Sequence, residues 1–164
     1  MQTSFTENQL KDKDNKTSET IIRKCVHCGM CNATCPTYGI NGEELEGPRG
    51  RIYLIKDMLE NKKPATKQIA KHIDSCLSCY SCMTTCPSGV NYMHLIDHGR
   101  NYVEETYKRP FFDRLFRNIL SFVLPRPKVF LLMALFSKII KPFSFLFPRF
   151  LKNALNLMPD KIPG

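Results

Sequence analysis

The sequence predicts an all-α fold, and three observations support that prediction. Apolar residues recur at three- and four-residue spacing through the middle of the 164-residue chain. No segment shows the strict alternation of apolar and polar residues that a half-buried strand requires. Eight cysteines fall in two runs of the same spacing, CVHCGMCNATCP from Cys25 and CLSCYSCMTTCP from Cys76. The helices are therefore expected to support two similar loops.

Residues 1–20 form a polar segment, which is predicted to be a flexible N-terminus ahead of a domain over residues 21–108. The segment lacks the apolar core of a secretory signal, so a cytoplasmic chain is expected. Cytosolic thiols stay reduced, and the eight cysteines therefore indicate metal or redox chemistry in preference to disulfides.

The two cysteine runs share one spacing, in which every cysteine of the first run has a counterpart fifty-one positions later. Thr34 and Pro36 likewise match Thr85 and Pro87, which indicates a duplication. In bacterial ferredoxins of this spacing, three cysteines of a run bind one iron–sulfur cluster and the fourth binds the other. The pattern predicts two [4Fe–4S] clusters, the first held by Cys25, Cys28, Cys31 and Cys86 and the second by Cys76, Cys79, Cys82 and Cys35.

Three other uses of the cysteines are less favoured. Zinc also takes four thiolates, but its sites use paired C-x₂-C units in which a third nearby cysteine has no role. Disulfides between such close neighbours reach their required geometry with difficulty. A Rieske centre is excluded because each site already has four cysteines. His27, inside the first loop, is expected to be solvated, with tuning of a cluster as the alternative.

The forty-residue insert between the runs contains a predicted helix over GPRGRIYLIKDMLENKK, where Pro48 suits the first helical position. Its apolar residues form two strips, which predicts burial on two faces. Arg49 and Arg51 lie near the N-terminus of this helix, where their charge opposes the helix dipole. They are either charges close to a cluster or ordinary surface arginines, and the sequence favours neither.

Two further helices flank the second run. ATKQIAKHIDS is predicted to be a short amphipathic helix that leads into it. The segment SGVNYMHLIDHGRNYVEETY, which follows Pro87, places apolar residues on one stripe. His94 and His98 have the spacing of a metal-binding pair, but they lie opposite that stripe. A solvated face is therefore favoured for them.

Residues 109–164 are predicted to form a basic, phenylalanine-rich helical tail or a linker to a further region. The segments RLFRNILSFVL and KVFLLMALFSKII are predicted amphipathic helices, each short of the roughly 20 residues that span a bilayer. Such helices suit an anionic membrane surface or packing against protein, and packing is favoured. Nucleic acid is not expected as a partner, because the basic residues lie among phenylalanines.

The segments CVHCGMCNATCPTYGINGEELEGPRGRIYLIKDMLEN and HIDSCLSCYSCMTTCPSGVNYMHLIDHGR resemble the iron–sulfur subunits of bacterial glycolate oxidases. More distant relatives are the iron–sulfur subunits of lactate and glycerol-3-phosphate dehydrogenases and of heterodisulfide reductase. The resemblance implies an α-helical ferredoxin fold beside FAD-containing subunits, with FAD on those partners and not on this chain. It also implies that glycolate is oxidised to glyoxylate at the flavin. Electrons would then pass toward a membrane acceptor such as quinone, with peripheral association on the cytoplasmic face of the inner membrane.

Full subunits of that family continue into a region with further cysteine-rich motifs, whereas no cysteine follows Cys86 here. A fragment or a split gene is therefore expected. The chain has no Gly-rich dinucleotide fingerprint and no nucleophile–base constellation, so it is not expected to catalyse alone. The alternatives are a relay in a related lactate, glycerol-3-phosphate or heterodisulfide oxidoreductase, and a non-enzymatic binding module that metal staples together.

Overall fold

The computed structural model describes residues 1–140, and within that range every regular element is helical. The all-α prediction is confirmed. Short 3₁₀ turns occur at Gln9–Lys11, Met30–Asn32 and Glu44–Glu46. The α-helices of the described range are α1 (Lys13–Lys24), α2 (Pro36–Asn41), α3 (Pro48–Asn61), α4 (Lys67–Asp74), α5 (Ser81–Thr84), α6 (Tyr92–Thr106), α7 (Phe111–Val123) and α8 (Pro127–Ile140).

The chain divides into two compact units, Met1–Lys108 and a second unit that begins at Arg109. The first unit contains all eight cysteines. Its core forms where α3 and α6 pack together and where α1 and α4 cover them. The cysteine loops lie between these helices, so the positions of the thiols depend on how the helices pack.

The N-terminal segment lies within the first unit and contacts its other elements, whereas a flexible segment was predicted. The side chain of Asp12 caps α1, so the helix begins at Lys13. Gln9 is 5% exposed, and its amide donates to the carbonyl oxygens of Leu59 and Glu60 at 2.9 Å. Asp12 thus caps α1, and Gln9 hydrogen-bonds main-chain carbonyl groups in the last turn of α3. The polar composition of the segment does not reveal either role.

The central contact is between α3 and α6, and it needs a glycine. Gly99 of α6 lies against Ile55 of α3, where an added Cβ would stand 2.8 Å from Ile55 Cγ1. The two helices approach closely because Gly99 has no side chain. Most of the predicted apolar positions of both segments are buried, and Leu54 and Tyr107 are half-buried. The buried ones are Ile52, Ile55, Met58 and Leu59 of α3 and Tyr92, Ile96, Gly99 and Val103 of α6.

The histidine pair of α6 is half-buried and contacts α1 through His98, which departs from the predicted solvated face. His98 Nδ1 lies 2.7 Å from Oγ of Ser18, a fully buried residue of α1. His94 Nε2 is also buried, and the two imidazole centroids are 6.1 Å apart. The prediction failed because α1, which covers this face, was taken to be part of a flexible segment.

The second unit contains α7 and α8. No residue of α7 is buried, and its exposed side chains include Phe112 and Phe116. No single helix in residues 1–140 is long and apolar enough to cross a membrane. Phe111–Val123 and Pro127–Phe136 reach that length and composition only together, across a bend of 115°. The predicted tail beyond residue 140 lies outside the described residues.

We expect Gly99→Ala to destabilise the first unit. The added methyl group has to displace the buried side chain of Ile55, and overpacking of a core costs about 1–3 kcal/mol. Urea unfolding of the iron-loaded chain, followed by circular dichroism without oxygen, measures the change. A midpoint equal to that of the wild type would contradict the close contact of α3 and α6.

Gly39→Ala provides the matched control. Gly39 lies inside α2, and an added Cβ there would meet no atom within 4 Å. The same change should be neutral or stabilise by about 0.4–1 kcal/mol, because alanine restricts the unfolded chain. A loss of stability in both variants would point to a general effect of removing glycine.

The stability of the first unit should also fall in mild acid through His98. Burial lowers the pKa of His98, although Asp14 opposes the shift, and His94, Asp12 and Glu105 contribute smaller effects. The unfolded chain then binds a proton at a higher pH than the folded chain. The contribution is complete above the ordinary histidine pKa of about 6.5 and is lost as the pH falls through the lowered value.

We expect the free energy of unfolding to depend less on pH in His98→Gln than in the wild type. The measurement is urea unfolding at several pH values between about 5.5 and 7.5, the range that brackets the ordinary histidine pKa. Glutamine can still hydrogen-bond Ser18 but does not titrate. Parallel pH profiles for the two proteins would rule out His98 as the source.

Candidate metal centres

The two cysteine loops have the same backbone conformation as well as the same spacing. His27 and Gly29 of the first loop have φ values of 61° and 85°, and their counterparts Ser78 and Tyr80 have 52° and 56°. Left-handed backbone at residues other than glycine is uncommon and concentrates at functional sites. Alternating left-handed residues also form concave nests of N–H groups, which occur in many iron–sulfur sites. The predicted duplication therefore extends to the folded loops.

The first cavity lies beneath the loop that begins at Cys25. It measures about 440 Å³, including the space at its mouth. Ile52 of α3, Val90 and Tyr92 contribute to its walls. Its lining includes all four cysteines predicted for the first cluster, Cys25, Cys28, Cys31 and Cys86, together with Cys82.

The second cavity lies beneath the loop that begins at Cys76 and measures about 290 Å³. Arg51, Thr37 and Tyr80 line it, and Tyr92 and Pro48 belong to the walls of both cavities. Its lining includes all four cysteines predicted for the second cluster, Cys35, Cys76, Cys79 and Cys82. Each cavity thus brings together three cysteines of one run and the last cysteine of the other.

The two sets of thiols are buried to a similar extent, although the buried members, Cys25 and Cys82, are not counterparts. Each set has one buried, two half-buried and one exposed cysteine, and the exposed ones, Cys28 and Cys79, are counterparts in the two loops. All eight are free thiols. The two sites therefore differ little in the exposure of their sulfur atoms, and any chemical difference between them has to come from the residues around them.

The innermost thiols are crowded by other thiols. Burial, and then the neighbouring thiolate of Cys25, raises the pKa of Cys31 to about 11. Burial, and then Cys31 and Cys76, raises the pKa of Cys82 to about 12. Several thiolates in one small cavity repel one another, and a bound cationic metal core offsets that repulsion.

Cys35 is an exception among these thiols, because hydrogen bonds favour its thiolate. Burial raises its pKa, but donation from the Thr37 hydroxyl and from the main-chain amides of Tyr38 and Thr37 outweighs burial, so the pKa is lowered. The Thr37 hydroxyl lies 3.2 Å from Cys35 Sγ and Arg51 Nη1 lies 4.0 Å from it.

Arg51 is the centre of a buried polar network beside the second cavity. It is 1% exposed, and its Nη2 lies 3.0 Å from Glu46 Oε2 and 2.9 Å from Ser75 Oγ. Its Nε donates to the carbonyl oxygen of His72 at 2.7 Å. Of the two predicted alternatives for Arg51, the structure supports a charge close to the cysteines. Hydrogen bonds from Ser75 and His72 outweigh burial and lower the pKa of Glu46.

Arg49, two residues earlier on α3, lines the first cavity and is more exposed than Arg51. Its side chain is 31% exposed, and its Nη2 donates to Glu44 Oε2 at 2.8 Å. The guanidinium lies against the backbone of Gly29, where an added Cβ would stand 2.5 Å from Nη1. His27 is exposed, as predicted, with its ring centroid 6.4 Å from that of Tyr53.

Two further side chains hold the second loop. Arg100 of α6 donates to Ser78 Oγ and to the carbonyl oxygen of Cys76, each at 2.6 Å. The hydroxyl of Tyr92, a buried residue, donates to Cys76 Sγ at 3.7 Å. Burial raises the pKa of Tyr92, so its phenol stays protonated and remains a donor.

The two loops also contact each other directly. Thr85 Oγ1 donates to Thr34 Oγ1 at 3.1 Å, and Thr34 Oγ1 lies 3.3 Å from the carbonyl oxygen of Ser81. Thr34 and Thr85 occupy equivalent positions in the two runs. The duplicated threonines therefore join the two cavities.

Both cavities fit [4Fe–4S] clusters. Each offers four soft sulfur ligands, which suit iron–sulfur clusters and zinc. The nests of the loops and the tight grouping of three cysteines with one from the other run favour the iron–sulfur cluster.

Several residues of these sites were not predicted from the sequence. Glu46, Ser75 and the ring of His72 gave no signal, because nothing in their spacing connects them to Arg51. The apolar stripe of α6 predicted burial of Tyr92, but it did not predict that its hydroxyl reaches a cysteine. An unusual arginine inside an otherwise apolar helix face was the available clue to the network.

Comparison with known proteins gives consistent results. Residues 21–90 match the 4Fe-4S dicluster domain family. Over 143 residues, or 87% of the chain and 35% of the relative, 48% of residues are identical to the glycolate oxidase iron-sulfur subunit of Escherichia coli (strain K12).

Two other relatives are more distant. A probable glycolate oxidase iron-sulfur subunit of Bacillus subtilis is 32% identical over 68% of the chain and 26% of the relative. The mitochondrial iron-sulfur subunit of succinate dehydrogenase [ubiquinone] of Candida glabrata is 28% identical over 50% of the chain and 35% of the relative. No solved structure matches.

The chain spans between about a quarter and about a third of the length of these curated relatives. The predicted resemblance to the iron–sulfur subunits of glycolate oxidases is confirmed, and it covers most of the chain. Residues 21–90 contain both cysteine runs and every residue that lines the two cavities except Tyr92. Residues 21–90 of the chain thus match the 4Fe-4S dicluster domain family, and the cysteines of both runs lie within that match.

Proposed function

We propose that this chain holds two [4Fe–4S] clusters and transfers electrons between them. Cys25, Cys28, Cys31 and Cys86 would bind the first cluster, and Cys76, Cys79, Cys82 and Cys35 the second. The observation that carries the proposal is the grouping of these thiols around two adjacent cavities that share Cys82, Tyr92 and Pro48 as walls. Adjacent cavities favour transfer because the two clusters would be separated by a single layer of side chains.

A bound cluster supplies one-electron chemistry, and the chain supplies its environment. The cysteine loops orient the sulfur ligands, and the apolar walls from α3 and α6 exclude water. One thiol at each site, Cys28 and Cys79, is exposed, so each site has one face toward the surface of the first unit. An electron can therefore enter at one face and leave at the other.

We further propose that the chain serves a flavin-dependent oxidation of glycolate to glyoxylate. Support comes from 48% identity to the iron-sulfur subunit of a glycolate oxidase over most of the chain. In this proposal, FAD-containing partner subunits oxidise the substrate and pass electrons to this chain. Transfer onward to quinone, and peripheral membrane association, stay predictions. The exposed phenylalanines and arginines of α7 are compatible with them.

The proposed function predicts reduction by glycolate. The chain should be purified without oxygen together with its flavoprotein partners, and its visible absorption followed after glycolate is added. Bleaching by glycolate is expected, because electrons from the flavin should reach the iron. Lactate and glycerol 3-phosphate are the matched alternative donors. Bleaching by dithionite but by none of these donors would contradict the substrate assignment, and no bleaching at all would contradict iron–sulfur clusters.

The ligand assignment predicts that Cys35→Ser damages the second cluster more than the first. Cys35 follows the first loop in sequence, but its sulfur lines the second cavity. Low-temperature electron paramagnetic resonance (EPR) of the reduced chain measures both clusters. Cys86→Ser is the reciprocal variant and should damage the first cluster, whose cavity Cys86 lines. If each variant instead loses the signal of its own loop, the crossed assignment is wrong.

A further inference from the structure

The two cavities are matched in most of the features that set the reduction potential of an iron–sulfur cluster. Those features are cluster type, charge, hydrogen bonds to sulfur and solvent exposure. Each site has four cysteines, of which one is buried, two are half-buried and one is exposed. The two loops also have the same left-handed positions, and therefore similarly directed main-chain amides. These shared features should therefore contribute little to any difference between the two reduction potentials.

Positive charges near the loop backbones are also partly matched. At the second loop, Arg100 donates to the carbonyl oxygen of Cys76. At the first loop, the amino group of Met1 donates to the carbonyl oxygen of Cys25, the counterpart of Cys76. Both cations contact a main-chain oxygen and not a sulfur atom, so they distinguish the sites weakly.

Three features have no counterpart at the first cavity, and one of them is the contact of the Thr37 hydroxyl with Cys35 Sγ at 3.2 Å. The Tyr92 hydroxyl donates to Cys76 Sγ at 3.7 Å, whereas no side-chain oxygen or nitrogen within the described residues donates to the sulfur of Cys25. The buried guanidinium of Arg51 lies 4.0 Å from Cys35 Sγ. The counterpart of Cys35 is Cys86, which has no comparable side-chain donor among the residues that the structure describes.

The two arginines of α3 differ in how strongly their charge acts. Arg49 and Arg51 are each paired with a glutamate, but only the second pair is buried, with side chains 1% and 3% exposed. A charge buried in protein interacts more strongly with its neighbours than one screened by water. Within the buried pair, the guanidinium of Arg51 contacts Cys35 Sγ, whereas the carboxylate of Glu46 contacts Arg51, Ser75 and His72.

We propose that the cluster of the second cavity has the higher reduction potential, and that Tyr92 and Arg51 set the difference. The inference rests on the proposed function, because it requires a cluster in each cavity. Added negative charge on the reduced site is stabilised by a hydrogen bond to its sulfur and by a nearby cation. Within this chain, one electron is lost at the first cavity and one is gained at the second. No bond or proton is exchanged.

The order of the two reduction potentials sets the direction in which electrons pass through the chain. The partner that supplies electrons, proposed above to carry FAD, acts at the face of Cys28, where Val26 and Met30 are exposed. The partner that removes electrons acts at the face of Cys79, beside exposed Leu77. Tyr92 and Arg51 are positioning residues in this scheme, because they act through the cysteines.

The test is an EPR-monitored redox titration of the whole chain without oxygen. Cys28→Ser and Cys79→Ser identify the signals, because these exposed counterparts line the first and the second cavity respectively. In the wild type, we expect the signal altered by Cys79→Ser to appear at the higher potential. The reverse order, or equal potentials, would overturn the inference.

Tyr92→Phe should lower the potential of the second cluster and leave that of the first unchanged, with the same iron content. Tyr102→Phe is the control, since it removes a hydroxyl from the same helix at a residue that lines neither cavity. Equal shifts of both clusters in Tyr92→Phe, or no shift, would overturn the role of this hydroxyl.

A second pair of variants compares the two arginines. Arg51→Gln should lower the potential of the second cluster more than Arg49→Gln lowers that of the first. If Arg51→Gln does not fold, the comparison of Tyr92→Phe with Tyr102→Phe tests the inference instead. A chain with no reducible signal at any potential overturns the proposed function together with this inference. Two signals in the wrong order overturn the inference alone.

Discussion

The buried ion pair of Arg51 and Glu46 joins the segments that surround the second cavity. A guanidinium and a carboxylate can be buried only when most of their hydrogen-bonding groups are satisfied. Here the partners come from the turn before α3, from the end of α4 and from the residues after Cys35. Removing one member of such a pair leaves an unpaired buried charge, which costs about 3–5 kcal/mol. The relative positions of these segments, and of the cysteines next to them, therefore depend on this pair.

The same network explains why duplicated loops need not be equivalent sites. The loops repeat each other in spacing and in backbone conformation. The long insert between them is not repeated, and it supplies Arg49 to one cavity and Arg51 to the other. Two residues of one helix thus place one cation near water and the other in the protein interior. The difference in burial between these two residues of α3 is enough to give two similar sites different surroundings.

The all-α fold, the buried faces of α3 and α6 and the grouping of the cysteines could be predicted, because each rests on local spacing. The covered face of His98 could not, since it depends on α1, whose polar composition hides a capped helix. The sequence favoured neither role for Arg51, because two of its hydrogen-bond partners, His72 and Ser75, lie far from it along the chain. Long-range partners of a single polar residue leave no periodic signal, whereas a stripe of apolar residues does.

The contact between Thr34 and Thr85 has a consequence for how the sites arose and how they fill. Residues at equivalent positions of the two runs touch each other here, as equivalent residues do in an isologous dimer interface. A single ancestral repeat would have had three sulfur ligands for its own cavity and one for that of its twin. With the proposed ligands, neither half completes a site by itself. With that assignment, each cluster can assemble only when both runs are folded against each other.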